Sequence, residues 1–486
     1  NTDAFRKAID ACAAMGGGRV VIPEGLWLTG PIELKSNINL HVEKGAVVMF
    51  SKNLSDYPLV LTRFEGLASA RCMAPLFARN CENIAITGSG VFDGNGSVWG
   101  PKKKSKFTEA QWNKIVNSGG VVDDQPTPHW WPSEQAMKGR LLSKAMGEKI
   151  RSIEECQVIH DYLRPVLLNF VECKRILLDG PTFQNSGAWC LHPLLSDHIT
   201  IRNVSVRNPW NSANGDALDL ESCRNVNIYD SVFDAGDDAI CIKSGKDKEG
   251  RELGRPTEHV SIWNCTVYHG HGGFVVGSEM SGSVRDIRIW DCVFLGTDTG
   301  LRFKSTRGRG GVVEDIYIDN IRMKDIGDDA ITFNTFYGIK GGPNAAQAPV
   351  PVSEETPEFK NIFISNISCS GAQKAISICG LPEMPIHHIS FSNVLISAEK
   401  GLDCINAENI SFVNVDIVPN SSPVFSFKNC RDIKLEGSRC IAKTDVFVKV
   451  SGESTERITC KNLYTANAAS ALVLDDNVKP GSVERI

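Results

Sequence analysis

Asn225-Val226-Asn227-Ile228 is only four residues long, yet its pattern recurs along most of the chain: a polar residue opens it, then apolar and polar residues alternate. The same phrase is read at Asn83-Ile84-Ala85-Ile86, Arg175-Ile176-Leu177-Leu178, His198-Ile199-Thr200-Ile201 and His259-Val260-Ser261-Ile262. Further copies open at Asp286, Asp315, Asn361, His388, Asn409, Asp432 and Arg457. Successive copies lie mostly 21 to 34 residues apart, a spacing at which self-similarity marks a stacked-coil architecture. Alternation with period two makes each phrase a strand with one buried face. Many short strands, few helical patterns and abundant Gly and Asn turns predict an all-β chain, a parallel β-helix. A β-sandwich or a propeller is the alternative, but neither gives a single series of a dozen similar rungs so readily.

A length of 486 residues would ordinarily suggest two or three domains. A solenoid grows by adding rungs, and no Pro/Ser-rich linker breaks the series, so residues 1–486 are expected to form one domain. Within it, 1–18 reads as an N-terminal capping helix: Ala4-Phe5-Arg6-Lys7-Ala8-Ile9-Asp10-Ala11-Cys12 has amphipathic spacing, and Gly16-Gly17-Gly18 ends it. Residues 100–164 read as an insertion. No stretch approaches 18 uninterrupted apolar residues, which excludes a membrane-spanning helix. A formal charge of −5 argues against a broad nucleic-acid surface, which needs excess Lys and Arg. Lys102-Lys103-Lys104 reads as a solvated loop. The sixteen cysteines include several in register along the phrases, which favours a buried ladder of small side chains over a disulfide framework. No CxxC pair or Cys/His cluster suggests zinc, and no metal or cofactor is expected.

Aligned by apolar alternation, seven strands form rows. They are Ala188-Trp189-Cys190-Leu191-His192, Ala217-Leu218-Asp219-Leu220-Glu221, Ala239-Ile240-Cys241-Ile242-Lys243, Gly273-Phe274-Val275-Val276-Gly277, Gly300-Leu301-Arg302-Phe303-Lys304, Ala330-Ile331-Thr332-Phe333-Asn334 and Ala375-Ile376-Ser377-Ile378-Cys379. Second and fourth positions point into the coil. Third and fifth point outward, in a column with Asp219, Glu221, Lys243, Arg302, Lys304, Thr332 and Asn334. Asp216, Asp237, Asp238 and His271 fall in the turns entering those strands. Rungs stack about 4.8 Å apart, so these groups are expected to share one groove. Breaking a glycosidic bond takes one carboxylic acid to protonate the leaving oxygen and a carboxylate to activate water. Adjacent carboxylates push each other's pKa apart and so can divide those tasks. Gly-Asp-Asp is by itself a common turn sequence, and Gly327-Asp328-Asp329 repeats it. What sets the first copy apart is its company of Asp216, His271, Arg302 and Lys304, which describes hydrolysis of an acidic sugar polymer.

With these residues in place the chain resembles glycoside hydrolase family 28, the polygalacturonases and their relatives, most of all exo-acting bacterial members. The resemblance rests on Asn214-Gly215-Asp216, Gly236-Asp237-Asp238, Gly270-His271-Gly272 and Arg302-Phe303-Lys304, which follow the order of the family's Asn-Thr-Asp, Gly-Asp-Asp, Gly-His-Gly and Arg-Ile-Lys motifs. Gly215 and Phe303 depart from it at middle positions only. The resemblance implies a right-handed parallel β-helix and an inverting hydrolase, with Asp237 as general acid, Asp216 and Asp238 on the water, and His271 tuning the acid. Arg302 and Lys304 would bind a galacturonate carboxylate, with Asn214, Lys243, His192 and Trp189 lining the cleft. Inversion predicts carboxyl separations of about 6.5–9.5 Å.

The 100–164 insertion, with His129-Trp130-Trp131-Pro132 and a helical stretch near Glu134 to Lys149, resembles those flanking and closing the cleft in exo-acting relatives, as does Gly277-Ser278-Glu279-Met280-Ser281-Gly282. Exo action on polygalacturonate is therefore expected; the alternative is an insertion that only packs the coil's side. Trp130 and Trp131 are candidates for sugar stacking, and Asp328 and Asp329 for positioning Arg302 and Lys304. Three other readings stay open: a rhamnogalacturonan or substituted-pectin hydrolase, a β-helix lyase, and a non-catalytic glycan binder. A pectic partner, a monomer and a secreted or periplasmic location are expected; the chain opens at Asn1 with no export signal in view.

Overall fold

The computed structural model describes residues 1–146, 152–339 and 348–485. It comprises two compact units, Asn1–Cys241 and Ile242–Ile486, each built as right-handed parallel β-helix. In the first unit, Leu76–Arg79, Leu168–Val171, Leu191–Leu194 and Leu218–Glu221 pair in parallel on one face. The strands Glu82–Gly88, Lys174–Asp179, Asp197–Arg202 and Arg224–Tyr229 form another. In the second unit, Gly272–Val276, Leu301–Lys304, Asp329–Asn334, Lys374–Cys379 and Lys400–Ile405 continue in the same manner.

The polar residue that opens each phrase has a backbone reason. At all twelve, from Asn83 to Arg457, φ lies between 50° and 57°, so the chain bends there in the left-handed region before entering the strand. Ten of the twelve are Asn, Asp or His, the non-glycine types that accept this region best. Their side chains also link rungs: Asn225 Nδ2 donates to Asp197 Oδ1 at 2.8 Å and Asn83 Nδ2 to Asn37 Oδ1 at 2.8 Å. The apolar positions that follow, such as Val226 and Ile228, are buried. Inside the second unit Phe303 stacks on Phe333 at 4.4 Å with rings 5° from parallel, so Phe303 faces the core as its row predicts.

All sixteen cysteines are free and fifteen are buried, with Cys81 half-buried. Cys81, Cys173, Cys223, Cys265, Cys292 and Cys430 each donate to the carbonyl two residues earlier, at 3.2–3.4 Å. The thiol is thus a small buried group that satisfies a turn carbonyl.

At the start of the chain the helix Thr2–Ala14 buries Phe5, Ile9 and Cys12 against the first strands, and Phe5 meets Trp27 edge-on at 6.1 Å. The insertion folds as the helices Glu109–Val116 and Glu134–Met146 with a small antiparallel sheet through His129–Trp131. The rest of the helix expected to reach Lys149 lies outside the described residues. Trp130 and Trp131 are buried here, their indoles donating to Gly119 O at 2.6 Å and Asp123 Oδ2 at 3.1 Å. They are the insertion's own core, not an open platform for sugars. Lys102 is no solvated charge either: its Nζ lies 4.2 Å from the Trp130 ring centre, and burial pushes its pKa down to about 8.

Candidate active site

In the first unit the turns entering two neighbouring strands bring Asp216, Asp237 and Asp238 together. One carboxylate oxygen from each lies within 4.8 Å of the others, with Asp216 and Asp238 buried and Asp237 partly exposed. The backbone fixes this meeting, because Ala217 N–H donates to Asp238 O at 3.0 Å and Gly236 N–H to Gly215 O at 3.0 Å. Asp238 N–H also donates to Asp237 Oδ1 at 3.0 Å. Their nearest oxygens are closer than the carboxyl separation of about 6.5–9.5 Å expected of inversion, since Asp216 and the Asp237–Asp238 pair stand on adjacent turns of a coil whose rungs repeat at about 4.8 Å. Three carboxylates this close could also embrace a divalent cation.

The departure at Gly215 has a steric cause. A Cβ there would lie 1.9 Å from Ser212 Oγ, so Ser212 fills the space that a Thr side chain would need. Gly236 meets the same hydroxyl, with a Cβ landing 2.3 Å from Ser212 Oγ and 2.3 Å from Pro209 O.

Two positioning residues in this unit carried no signal in the sequence. Arg164 Nη1 donates to Gly187 O at 3.0 Å and Ala213 O at 2.9 Å, and its Nη2 holds Asn214 Oδ1 at 2.8 Å. Asn214 is thereby part of a clamp on the turn that carries Asp216. Burial pushes the Arg164 guanidinium below its ordinary pKa, opposed by Tyr162, Glu65 and Asp216. Asn208, which is buried, donates to Asp216 O at 3.1 Å. Their partners are backbone carbonyls and an amide, which no motif encodes.

Trp189 and His192 are not on an open face. Both are buried: Trp189 packs on Phe64 at 4.4 Å, from the hairpin Leu59–Phe64/Leu67–Cys72. His192 Nε2 meets Glu221 Oε2 at 3.0 Å, and its Nδ1 meets Asn169 Nδ2 at 3.1 Å. Their row also needs correction, because Leu191 pairs with Leu218 and Leu194 with Glu221. The strand therefore starts two residues later than its apolar alternation suggested. Asp219 and Glu221 are likewise buried on the face expected to be outward.

In the second unit Leu301 and Arg302 pair with Ile331 and Thr332, and Lys304 with Asn334, as expected. Arg302 Nη1 donates to His271 O at 3.3 Å, and His271 Nε2 lies 3.8 Å from Asp298 Oδ2. Arg302 and Lys304 flank the Tyr337 ring at 5.9 and 5.1 Å. Lys243 is buried and meets Glu279 Oε2 at 3.0 Å, so a protein carboxylate stands where the sequence suggested a ligand. Glu279 also accepts from Ser278 Oγ at 2.9 Å and lies 3.8 Å from Arg309 Nη2. Burial would raise the Glu279 carboxyl, but Lys243, Lys304 and Arg309 outweigh it and hold the pKa down to about 2. Asp329 stands in register with Lys374. Burial pushes its carboxyl up, with Lys374 opposing, so the cation tied to this residue is Lys374, where the sequence suggested Arg302 and Lys304.

These carboxylates can protonate a leaving group and activate water, and the cations can hold an acidic ligand. The profile described as Glycosyl hydrolases family 28 matches residues 152–416. A probable polygalacturonase of Vitis vinifera is 28% identical, covering 82% of this chain and 71% of its own length. An exo-poly-alpha-D-galacturonosidase of Dickeya chrysanthemi is 26% identical, over 90% of this chain and 72% of its own. Among solved structures, a hyperthermoactive exopolygalacturonase from Thermotoga maritima is 31% identical, with a TM-score of 0.69 over 87% of this chain and 89% of that one.

Proposed function

Because this chain belongs to glycosyl hydrolases family 28, we propose that it hydrolyses the α-1,4 links of polygalacturonate from a chain end, with inversion. The observation that carries hydrolysis is the gathering of Asp216, Asp237 and Asp238 within 4.8 Å; inversion rests on the resemblance to the family's motifs, since so short a spacing is nearer that of retaining pairs. Asp237, the most exposed of the three, protonates the glycosidic oxygen as the C1–O bond breaks. A water held by Asp216 and Asp238 gives them its proton and adds to C1 from the opposite side of the sugar. His271 orients the sugar. Arg302 offers a two-pronged guanidinium and Lys304 an ammonium to a uronate carboxylate.

Exo action is supported by the exo-acting relatives and by the insertion's place. Lys102, Phe107 and Ile115 of the insertion wall a cavity of about 420 Å³ against Pro209 and Asn211–Ala213, the turn just before Asn214. A wall beside the Asp216 turn restricts a long chain threading past it. The polymer lies outside the cytoplasm, so the enzyme works there, secreted or periplasmic; among the described residues no helix is long and apolar enough to cross a membrane.

Digestion of polygalacturonate with EDTA present tests the reading. Saturated galacturonate or one short saturated product should appear from the outset. A ladder of saturated oligomers would keep the chemistry and remove the exo mode. Unsaturated, ultraviolet-absorbing product would mean elimination, and no product would point to rhamnogalacturonan or to a binding role.

A further inference from the structure

Beyond Arg302 and Lys304 the second unit carries a cavity of about 310 Å³ whose walls include Asp329, Tyr337, Lys374 and Lys400 besides those two cations. We propose that it is a second carboxylate subsite, in which Lys374 takes the carboxylate of a further uronate residue of the bound chain. This rests on the polygalacturonate reading above.

Register separates the two cationic positions. Arg302 pairs with Thr332, Thr332 with Ser377 and Ser377 with Asp403. Lys374 stands on the strand of Ser377, with Asp329 before it and Lys400 after it in one column. Two rungs at about 4.8 Å each put Lys374 about 10 Å along the stack from Arg302. With its Nζ 2.6 Å from Asp403 Oδ2, on the strand beyond its own, the Lys374 ammonium reaches away from Arg302, so the two cations serve separate carboxylates. One cavity with a cation at each end therefore suits a ligand with at least two anionic groups, which an oligouronate has and a single uronate lacks.

The present partner of Lys374 is replaceable. Its Nζ meets Asp403 Oδ2 at 2.6 Å, but the Asp403 side chain is 46% exposed, and such half-solvated pairs are weak. An incoming carboxylate can exchange with Asp403, which then returns to water. Two acids, Asp328 and Asp329, also line the cavity; burial pushes the Asp329 carboxyl up, with Lys374 opposing.

Calorimetric titration of Asp237→Asn protein with galacturonate, digalacturonate and trigalacturonate tests the proposal. Affinity should rise with chain length. Adding Lys374→Met should weaken the oligomers about tenfold, as loss of a charge-assisted contact would, and leave galacturonate unchanged. Lys374→Arg should keep most of the gain, and Asp403→Asn, which frees Lys374 at the surface, should strengthen oligomer binding. Oligomer affinities left unchanged by both Lys374→Met and Asp403→Asn would overturn the subsite while leaving the substrate intact. If the Asp237→Asn protein bound no oligogalacturonate at all, the substrate reading would fall and the subsite with it.

Discussion

Replacing Glu279 by glutamine should cost more stability than any other single charge removal on the second unit's sheet face, and the cost should depend on pH. Glu279 has side-chain exposure of 14%, and Lys243 facing it 4%; Arg309 is at 13%. Its pKa is held down from 4.5 to about 2, which is worth about 3 kcal/mol at about 1.4 kcal/mol for each tenfold change in proton affinity. Because the folded pKa is the lower one, this stabilisation is fully present above the unfolded value near 4.5 and is lost as pH falls toward 2. At pH 3 about 1 kcal/mol of it remains by the same linkage. The variant also takes a counter-charge from the buried Lys243, and removing one partner of a buried ion pair typically costs about 3–5 kcal/mol. Urea unfolding of both proteins at pH 7 and pH 3 measures the difference. The expected gap is about 3–5 kcal/mol at pH 7, narrowing by about 2 kcal/mol at pH 3. A gap below about 1 kcal/mol at pH 7, or one that does not change with pH, would refute the role of Glu279 as the shared counter-ion.

Two further perturbations probe the packing beneath the carboxylates and the cysteines. Gly215→Thr should destabilise the protein by about 1–3 kcal/mol through overpacking against Ser212, and Ser212→Gly in the same chain should recover most of that in thermal melts; an undamaged single variant would contradict the steric account. Unfolded without reductant, the protein should release sixteen thiols to a colorimetric reagent, and reductant should leave its melting temperature unchanged. Fewer thiols would mean that cross-links exist.

Much of the fold was legible because the coil repeats two demands in every rung: apolar residues at alternating places and a residue that tolerates a left-handed bend before them. Asn225, His259 and Asp286 satisfy the second demand, which is why the phrase opens on a polar residue at all. Register was less secure. Sliding a strand by two residues keeps every side chain on its original face, so Trp189 and Leu191 alternated as well as Leu191 and Pro193 do, and only the pairing of Leu191 with Leu218 separates them. A one-residue slip would have shown itself at once.

Burial on the outward face was not legible either. What covers Asn169 and Trp189 is Thr62, bonded to Asn169 at 2.9 Å, and Phe64, both about a hundred residues earlier in the sequence. Alternation describes a strand's two faces but not what a distant hairpin lays over one of them. The motifs likewise located Asp216, Asp237 and Asp238 but not Arg164 or Asn208, whose contacts are to main-chain atoms and one amide. Lys243 was read as a ligand contact because its row faces outward. Glu279, which meets it, comes from the segment after Gly272–Val276, where no periodicity predicts a contact.

The central claim, hydrolysis run by Asp237 with water on Asp216 and Asp238, is tested most directly by proton NMR of a polygalacturonate digest in its first minutes. The newly released reducing end should appear as the β-anomer before mutarotation, and Asp237→Asn protein with an unchanged melting temperature should lose about 10²–10⁴-fold in rate. An α-anomer appearing first, or a variant that retains its rate, would contradict it.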